Sequence, residues 1–258
     1  MTIGIVAPDA VLLVVGGTGA IGIEIAAQAA EGGARVIVHG SREESCAKAI
    51  ETLAARCPEG GFTPLIADLT APGSSAALVE KAVAVHGRLD ALIHAAGYGP
   101  AGAISGPLSR TDPAAYGAFL EMGVASFQEM CHAALPHLSE TRGAIVAFAS
   151  DSGLFAAPRQ SLVAARMAAI IAFVRNLGLE TARDGVRINC ISPSYVEQTP
   201  IFDRFLELGG GRVQKARDKA GLGLPTPADI APLALFLCGP LSTKITGQII
   251  SINGGLNA

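Results

Sequence analysis

The 258-residue chain has no tryptophan and three tyrosines, and aromatic side chains make up 5% of its length. A core built without large rings must be closed by aliphatic and small residues, and a 50% hydrophobic content with 31 glycines provides them. Charge is sparse too, at 16% of residues and a net −3, with no basic block, so nucleic acid is not an expected partner. The five cysteines (46, 57, 131, 190, 238) are odd in number and form no Cys-x-x-Cys. That pattern argues against a disulfide framework or a metal site and fits a reducing, cytoplasmic setting. Mean hydropathy is positive, yet the apolar stretches are short and broken by Gly, Pro or charge. None approaches the roughly 20 residues of a membrane span. The opening MTIGIVAPDA lacks the basic start and long apolar segment of a secretory signal, so no membrane association is expected.

What is present is an alternation. Seven short apolar runs, at 11–15, 34–39, 62–67, 89–94, 143–149, 186–192 and 247–252, are separated by longer segments with helix signals. Near-continuous apolar strands are expected where a parallel sheet is covered on both faces. Ser41-x-x-Glu44 reads as a capping box, Glu31-Gly32-Gly33 as a helix end and Thr226-Pro227-x-Asp229 as a helix start. Together these predict α/β architecture: one doubly wound domain over 1–258, with a seven-stranded parallel sheet and helices on both faces. The Gly-rich, charged stretch 194–225 is expected to form a lid over the sheet's C-terminal edge.

VLLVVGGTGAIG (11–22) runs from a strand through glycines into a helix. Backbone N–H groups at such a helix start suit a pyrophosphate, and glycines let it approach. The expected cofactor contacts here are Gly16, Thr18, Gly19, Ile21 and Gly22. After the second strand, where NAD binders place an acid, the chain has His39-Gly40-Ser41-Arg42. Ser41 and Arg42 in place of an acid lean slightly toward a 2′-phosphate and hence NADP. Against that lean, Ser41 also serves as a helix cap and Arg42 has a plain solvated alternative.

In order along the chain stand the glycine loop 16–22, "ADLT" (67–70), "HAAG" (94–97), "GAIVAFAS" ending at Ser150, "DGVRINCISP" (184–193) and "ITGQIISINGG" (245–255). With these landmarks the sequence resembles the short-chain dehydrogenase/reductase family from about residue 10 to 256. The resemblance implies a Rossmann-type fold and NAD(P) contacts that extend to Asp68, Leu69, Ala96 and Gly97. It also implies a homo- or hetero-tetramer.

The family's chemistry rests on an Asn, Ser, Tyr, Lys tetrad, with Ser and Tyr thirteen apart and Tyr and Lys four apart. Counting from Ser150 puts Val163 in the Tyr place and Met167 in the Lys place, and counting back from Asn189 returns the same register. The relay Asn falls on Gly123, so Ser150 alone remains. Loop and strand-end positions have drifted as well, to Val15, Ala20, Ala95 and Ser194. The expectation is a degenerate member that binds NAD(P) weakly or not at all.

Other groups near the expected pocket are Asp151, Tyr98, His94, Tyr195, Glu121 and Arg166. Asp151 is the candidate for a substitute acid/base, the alternative being a carboxylate solvated at the strand's end. His94 is expected to be a buried structural histidine. Arg166, one residue from the Lys place and so about 100° round the helix, is expected to point elsewhere. Three readings follow. The first is a non-catalytic subunit paired with an active relative, acting on small-molecule alcohols or hydroxyacyl substrates at the level of the complex. The second is an atypical NAD(P)H-dependent oxidoreductase, and the third a redox-neutral cyclase or isomerase on the same scaffold.

Overall fold

The computed structural model describes residues 5–97, 104–207 and 210–257. Its centre is a seven-stranded parallel sheet in the order β3-β2-β1-β4-β5-β6-β7. The strands are β1 (Val11–Val15), β2 (Arg35–Gly40), β3 (Gly61–Ile66), β4 (Ala91–His94), β5 (Ala144–Phe148), β6 (Arg187–Pro193) and β7 (Ile249–Ile252). Each lies within two residues of its expected run. The interior strands are buried at every position or nearly so, whereas β3 and β7 at the edges are not. Pro64 therefore sits on an edge strand, paired with Val38 on one side only, where its missing N–H costs no ladder bond.

The period-2 alternation of side chains splits the core in two. Leu12, Val14, Val36, Val38 and Ile93 pack under α1 (Ala20–Glu31), α2 (Glu43–Arg56) and α9 (Pro227–Cys238). Leu13, Val15, Ile37, Leu92 and Ile145 pack under α3 (Ser74–His86), α5 (Ser126–Thr141) and α6 (Ser161–Glu180). A short helix, α4 (Tyr116–Leu120), leads through a π-helical segment (Glu121–Ala125) into α5. Because β1 has β2 on one side and β4 on the other, the chain direction of winding reverses between β1 and β4. Doubly wound sheets open a crevice at that point, outside the carboxyl ends of the strands.

Two expectations need correction. Ser41 does not cap α2: the helix starts at Glu43 after an extended Arg42, with no side-chain cap. Glu43 and Glu44 meet the N-terminal dipole instead, and Ser45 bonds back to the Arg42 carbonyl. The 194–225 stretch, expected as a lid, carries helices. It folds into α7 (Pro200–Glu207) and α8 (Gly211–Lys219) around a small core of Phe202, Val213, Ala216, Leu224 and Leu256. Finally, α6 is long and apolar enough, by length and composition, to cross a bilayer. Here its stripe of Met167, Ile170, Ile171, Val174 and Leu177 is buried on the sheet.

Candidate functional site

The glycine loop is held by packing that leaves no room for side chains. Gly16 has φ +76°, and a β-carbon there would stand 2.6 Å from the Ala96 Cα. A β-carbon on Gly22 would collide with the Gly16 carbonyl. Gly19, by contrast, is exposed and begins α1 without a side-chain cap, so the helix's first amides face the crevice. Thr18 leans on Gly40, where a β-carbon would meet both the Thr18 Cγ2 and the Cys46 Sγ at 2.6 Å. The loop is a cradle open at Gly19 and closed at Gly16 and Gly22, which fits a pyrophosphate. Ser41 and Arg42 are exposed beside it, at the end of β2.

Beyond the loop lies a cavity of about 170 Å³, lined by Ile21, Ser150, Pro193, Tyr195, Val196 and Thr199 among others. Phe202 and Phe205 of α7 line it as well. Val196 and Thr199 had no signal strong enough to single them out in the sequence. Thr199 is buried and donates to the Val196 carbonyl at 2.8 Å. Tyr195 packs edge-on against Phe205, with centroids 5.6 Å apart.

Ser150, two residues past the end of β5, is extended, and its Oγ accepts weakly from the Ser152 N–H at 3.4 Å. Asp151 next to it is neither solvated nor turned into the cavity. It is 3% exposed and accepts from Ser192 and Ser251 hydroxyls (3.2 and 2.9 Å) and from Asn253 and Asn257 amides (2.6 and 3.3 Å). With four donors already in place, its carboxylate ties the end of β5 to β6, β7 and the C-terminal segment and does not face the cavity as a substitute acid/base.

Val163 and Met167 belong to the apolar layer. Met167 is 9% exposed and packs with Ala149 and Ile170; its Cβ would lie 2.7 Å from a β-carbon on Gly153. Val163 and Ala96 pack against the same cluster. Arg166 does not point away. It is 5% exposed, its guanidinium lies 4.3 Å from the centroid of Phe119, and its stem fills the space beside Gly123. A β-carbon at 123 would collide with Arg166 Cδ and stand 2.9 Å from Nε. The volume next to position 123 is therefore occupied from α6.

His94 closes β4, 2% exposed and packed on Phe127 at 4.9 Å. Burial, with further contributions from His39 and Arg166, pushes its pKa down to about 3, so it is neutral. Asp68 is exposed at the end of β3, and its Oδ1 accepts from the Thr70 N–H and hydroxyl. Those bonds hold its carboxyl below the usual range. Leu69 is a core residue, while Gly97 is exposed, and among the described residues no atom lies within 4 Å of a β-carbon placed there. Glu121 is exposed and lines a different hollow, of about 370 Å³, between residues 69–73 and 118–129. Tyr98 lies outside the described residues. All five cysteines are free, and among the described residues no cluster of His, Cys, Asp or Glu could hold a metal.

A family model described as enoyl-(acyl carrier protein) reductase matches residues 16–257. The chain is 30% identical to a 3-oxoacyl-(acyl-carrier-protein) reductase FabG of Chlamydia muridarum, covering 95% of this chain and 96% of that protein. This protein is a member of the short-chain dehydrogenase/reductase family. It is also 29% identical to an L-fucose dehydrogenase of Bos taurus, over 95% and 88% of the two chains. Among solved structures, a 7α-hydroxysteroid dehydrogenase complexed with NADH and 7-oxo glycochenodeoxycholic acid superposes with a TM-score of 0.87 at 25% identity, covering 98% and 96%. A dehydrogenase/reductase of Sinorhizobium meliloti shares the fold at a TM-score of 0.87 and 24% identity, covering 99% and 98%. The family's members are NAD(P)-dependent oxidoreductases, and the fold is the Rossmann-type sheet described above.

Proposed function

We propose that this chain is a catalytically degenerate short-chain dehydrogenase/reductase subunit. It retains a dinucleotide cradle and assembles, as a tetramer, with an active relative that acts on an alcohol, ketone or hydroxyacyl substrate. The observation that carries the reading is the packing of α6. Val163 and Met167, in the Tyr and Lys places, are part of a continuous apolar layer with Ala149 and Ala96. Arg166 fills the space beside Gly123, in the Asn place. A site that had only exchanged its catalytic groups would keep polar groups facing the cavity. Here the positions are closed by core contacts.

If a dinucleotide binds, Ala20 and Ile21 hold the pyrophosphate with backbone amides beside Gly19, and Arg42 meets a 2′-phosphate, which favours NADP. The group would supply a hydride when bound. Met167 offers nothing to ribose hydroxyls, so losing two charge-assisted hydrogen bonds at about 1.5–3 kcal/mol each weakens affinity by several orders of magnitude. The isolated chain is expected to show no NADPH oxidation with ketone or 3-oxoacyl substrates. Native mass spectrometry of material from the source cell should show a related chain bound to it. Robust turnover by the purified chain alone would sink the proposal.

One observation favours a second reading. Ser150 and Tyr195 line the same cavity, which gives an atypical oxidoreductase a hydroxyl to polarise a carbonyl and a phenol to donate a proton. Under it, Ser150→Ala and Tyr195→Phe would each abolish a turnover that the wild-type chain shows by itself.

A further inference from the structure

The glycine loop is joined to the sheet by one side chain that the binding of a dinucleotide does not itself require. The Gly16 N–H donates to His39 Nδ1 at 3.2 Å, and His39 Nε2 faces the Ala67 carbonyl at 3.0 Å. His39 is 3% exposed, at the end of β2. An amide N–H can only be accepted by an unprotonated ring nitrogen, so Nδ1 carries no proton. The hydrogen of the neutral ring is on Nε2, which donates to Ala67. Burial disfavours the imidazolium in the same direction.

The bonded amide belongs to the residue the loop can least afford to move. Gly16 holds φ +76° with its Cα against the Ala96 backbone, and its carbonyl receives the Gly19 N–H at 3.0 Å at the mouth of α1. A shift at Gly16 is passed to Gly19 and so to the amides that open α1. The far end of the ring is equally committed, since Ala67 precedes Asp68 and its own N–H bonds the Gly40 carbonyl at 3.2 Å. One imidazole thus spans the ends of β1, β2 and β3.

We propose that His39 is a positioning residue for dinucleotide binding: a tautomer-locked clamp that sets the glycine loop from beneath through the Gly16 amide. This rests on the reading that the loop cradles a dinucleotide, and the test separates the two. Asn places an amide oxygen near the Nδ1 position and keeps the acceptor for Gly16; Gln reaches the Nε2 position and keeps only the donor to Ala67. Titration of NADPH and NADH into the full chain should show affinity lowered on the order of tenfold in His39→Gln and within about threefold of wild type in His39→Asn. Long-range ¹H–¹⁵N spectra at neutral pH should show His39 protonated on Nε2. Exchange of the Gly16 amide should be slow in wild type and His39→Asn, and fast in His39→Gln.

A His39 proton on Nδ1, or unchanged Gly16 exchange in His39→Gln, would overturn the clamp. So would equal dinucleotide affinity in wild type and His39→Gln. If the wild-type chain binds neither dinucleotide, the cofactor reading fails, and the spectra and exchange still decide the clamp.

Discussion

Gly123 and Arg166 show how a residue can be determined by another far from it in sequence. Read alone, Gly123 is a position without a side chain and Arg166 a charge one residue before Met167. Together they are one packing unit, with the arginine stem in the space a β-carbon at 123 would need and its guanidinium on the Phe119 ring. Gly123→Ala is therefore expected to cost about 1–3 kcal/mol by overpacking, despite the better helix propensity of alanine. In an Arg166→Ala background the same change should be close to neutral. Denaturant unfolding of the four variants should give a coupling of about 0.5–3 kcal/mol, and additive effects would contradict the shared space. The absence of polar groups at 123, 163 and 167 was legible from spacing. What fills the space was not, because helical spacing places Arg166 about 100° from Met167 and says nothing of which neighbour lies there. Asp151 is the parallel case: its four donors come from β6, β7 and the C-terminal segment, 41 to 106 residues away.

Among the elements, α9 is the clearest match between local signal and structure. Asp229 Oδ2 accepts from both the Thr226 N–H (2.8 Å) and the Thr226 hydroxyl (2.7 Å), closing the box that Thr-Pro-x-Asp announces. The other end of α9 is closed by Arg187 on β6, whose guanidinium donates to the Leu237 and Cys238 carbonyls at 2.6 and 3.1 Å. Because α9 packs on α1 through Ile230, Ala231 and Ala234, its start also supports the helix that follows the glycine loop. Thr226→Ala is expected to lower stability by about 0.5–2 kcal/mol. Asp229→Ala should cost a similar amount, and the double variant less than the sum when measured by urea midpoints. The Ser41-x-x-Glu44 signal failed where this one held. With Gly40 still in β2, the chain leaves the sheet extended through Arg42, and the helix begins too late for Ser41 to reach its amides.

For the whole molecule, the buried histidines set how stability responds to pH. His39 and His94 are held neutral in the fold by burial, with pKa values below the ordinary 6.5. The unfolded chain takes up protons at these sites first, so stability falls as pH drops below about 6.5 and is unaffected by them above it. For His94 the slope is expected to approach about 1.4 kcal/mol per pH unit, and His39 adds to it in the same direction. Carboxylates with lowered values, Glu24 and Asp229 among them, add their loss only further down, below the ordinary carboxylate range. Urea unfolding between pH 7 and 5 should show the decline, and part of it should disappear in His39→Gln.

The sequence by itself determined the parallel sheet, its seven strands to within two residues, the glycine loop and the apolar residues at 163 and 167, where the family resemblance expects Tyr and Lys. All of these are written in local patterns: runs buried on both faces, glycines between strand and helix, and fixed spacings along one helix. Only the tertiary structure decided that Arg166 fills the space at Gly123, that Asp151 is a bracket, and that His39 holds the Gly16 amide. Each of those pairs meets across neighbouring elements of the fold, and no periodicity within one segment encodes which side chain a strand end or a helix face will find opposite it.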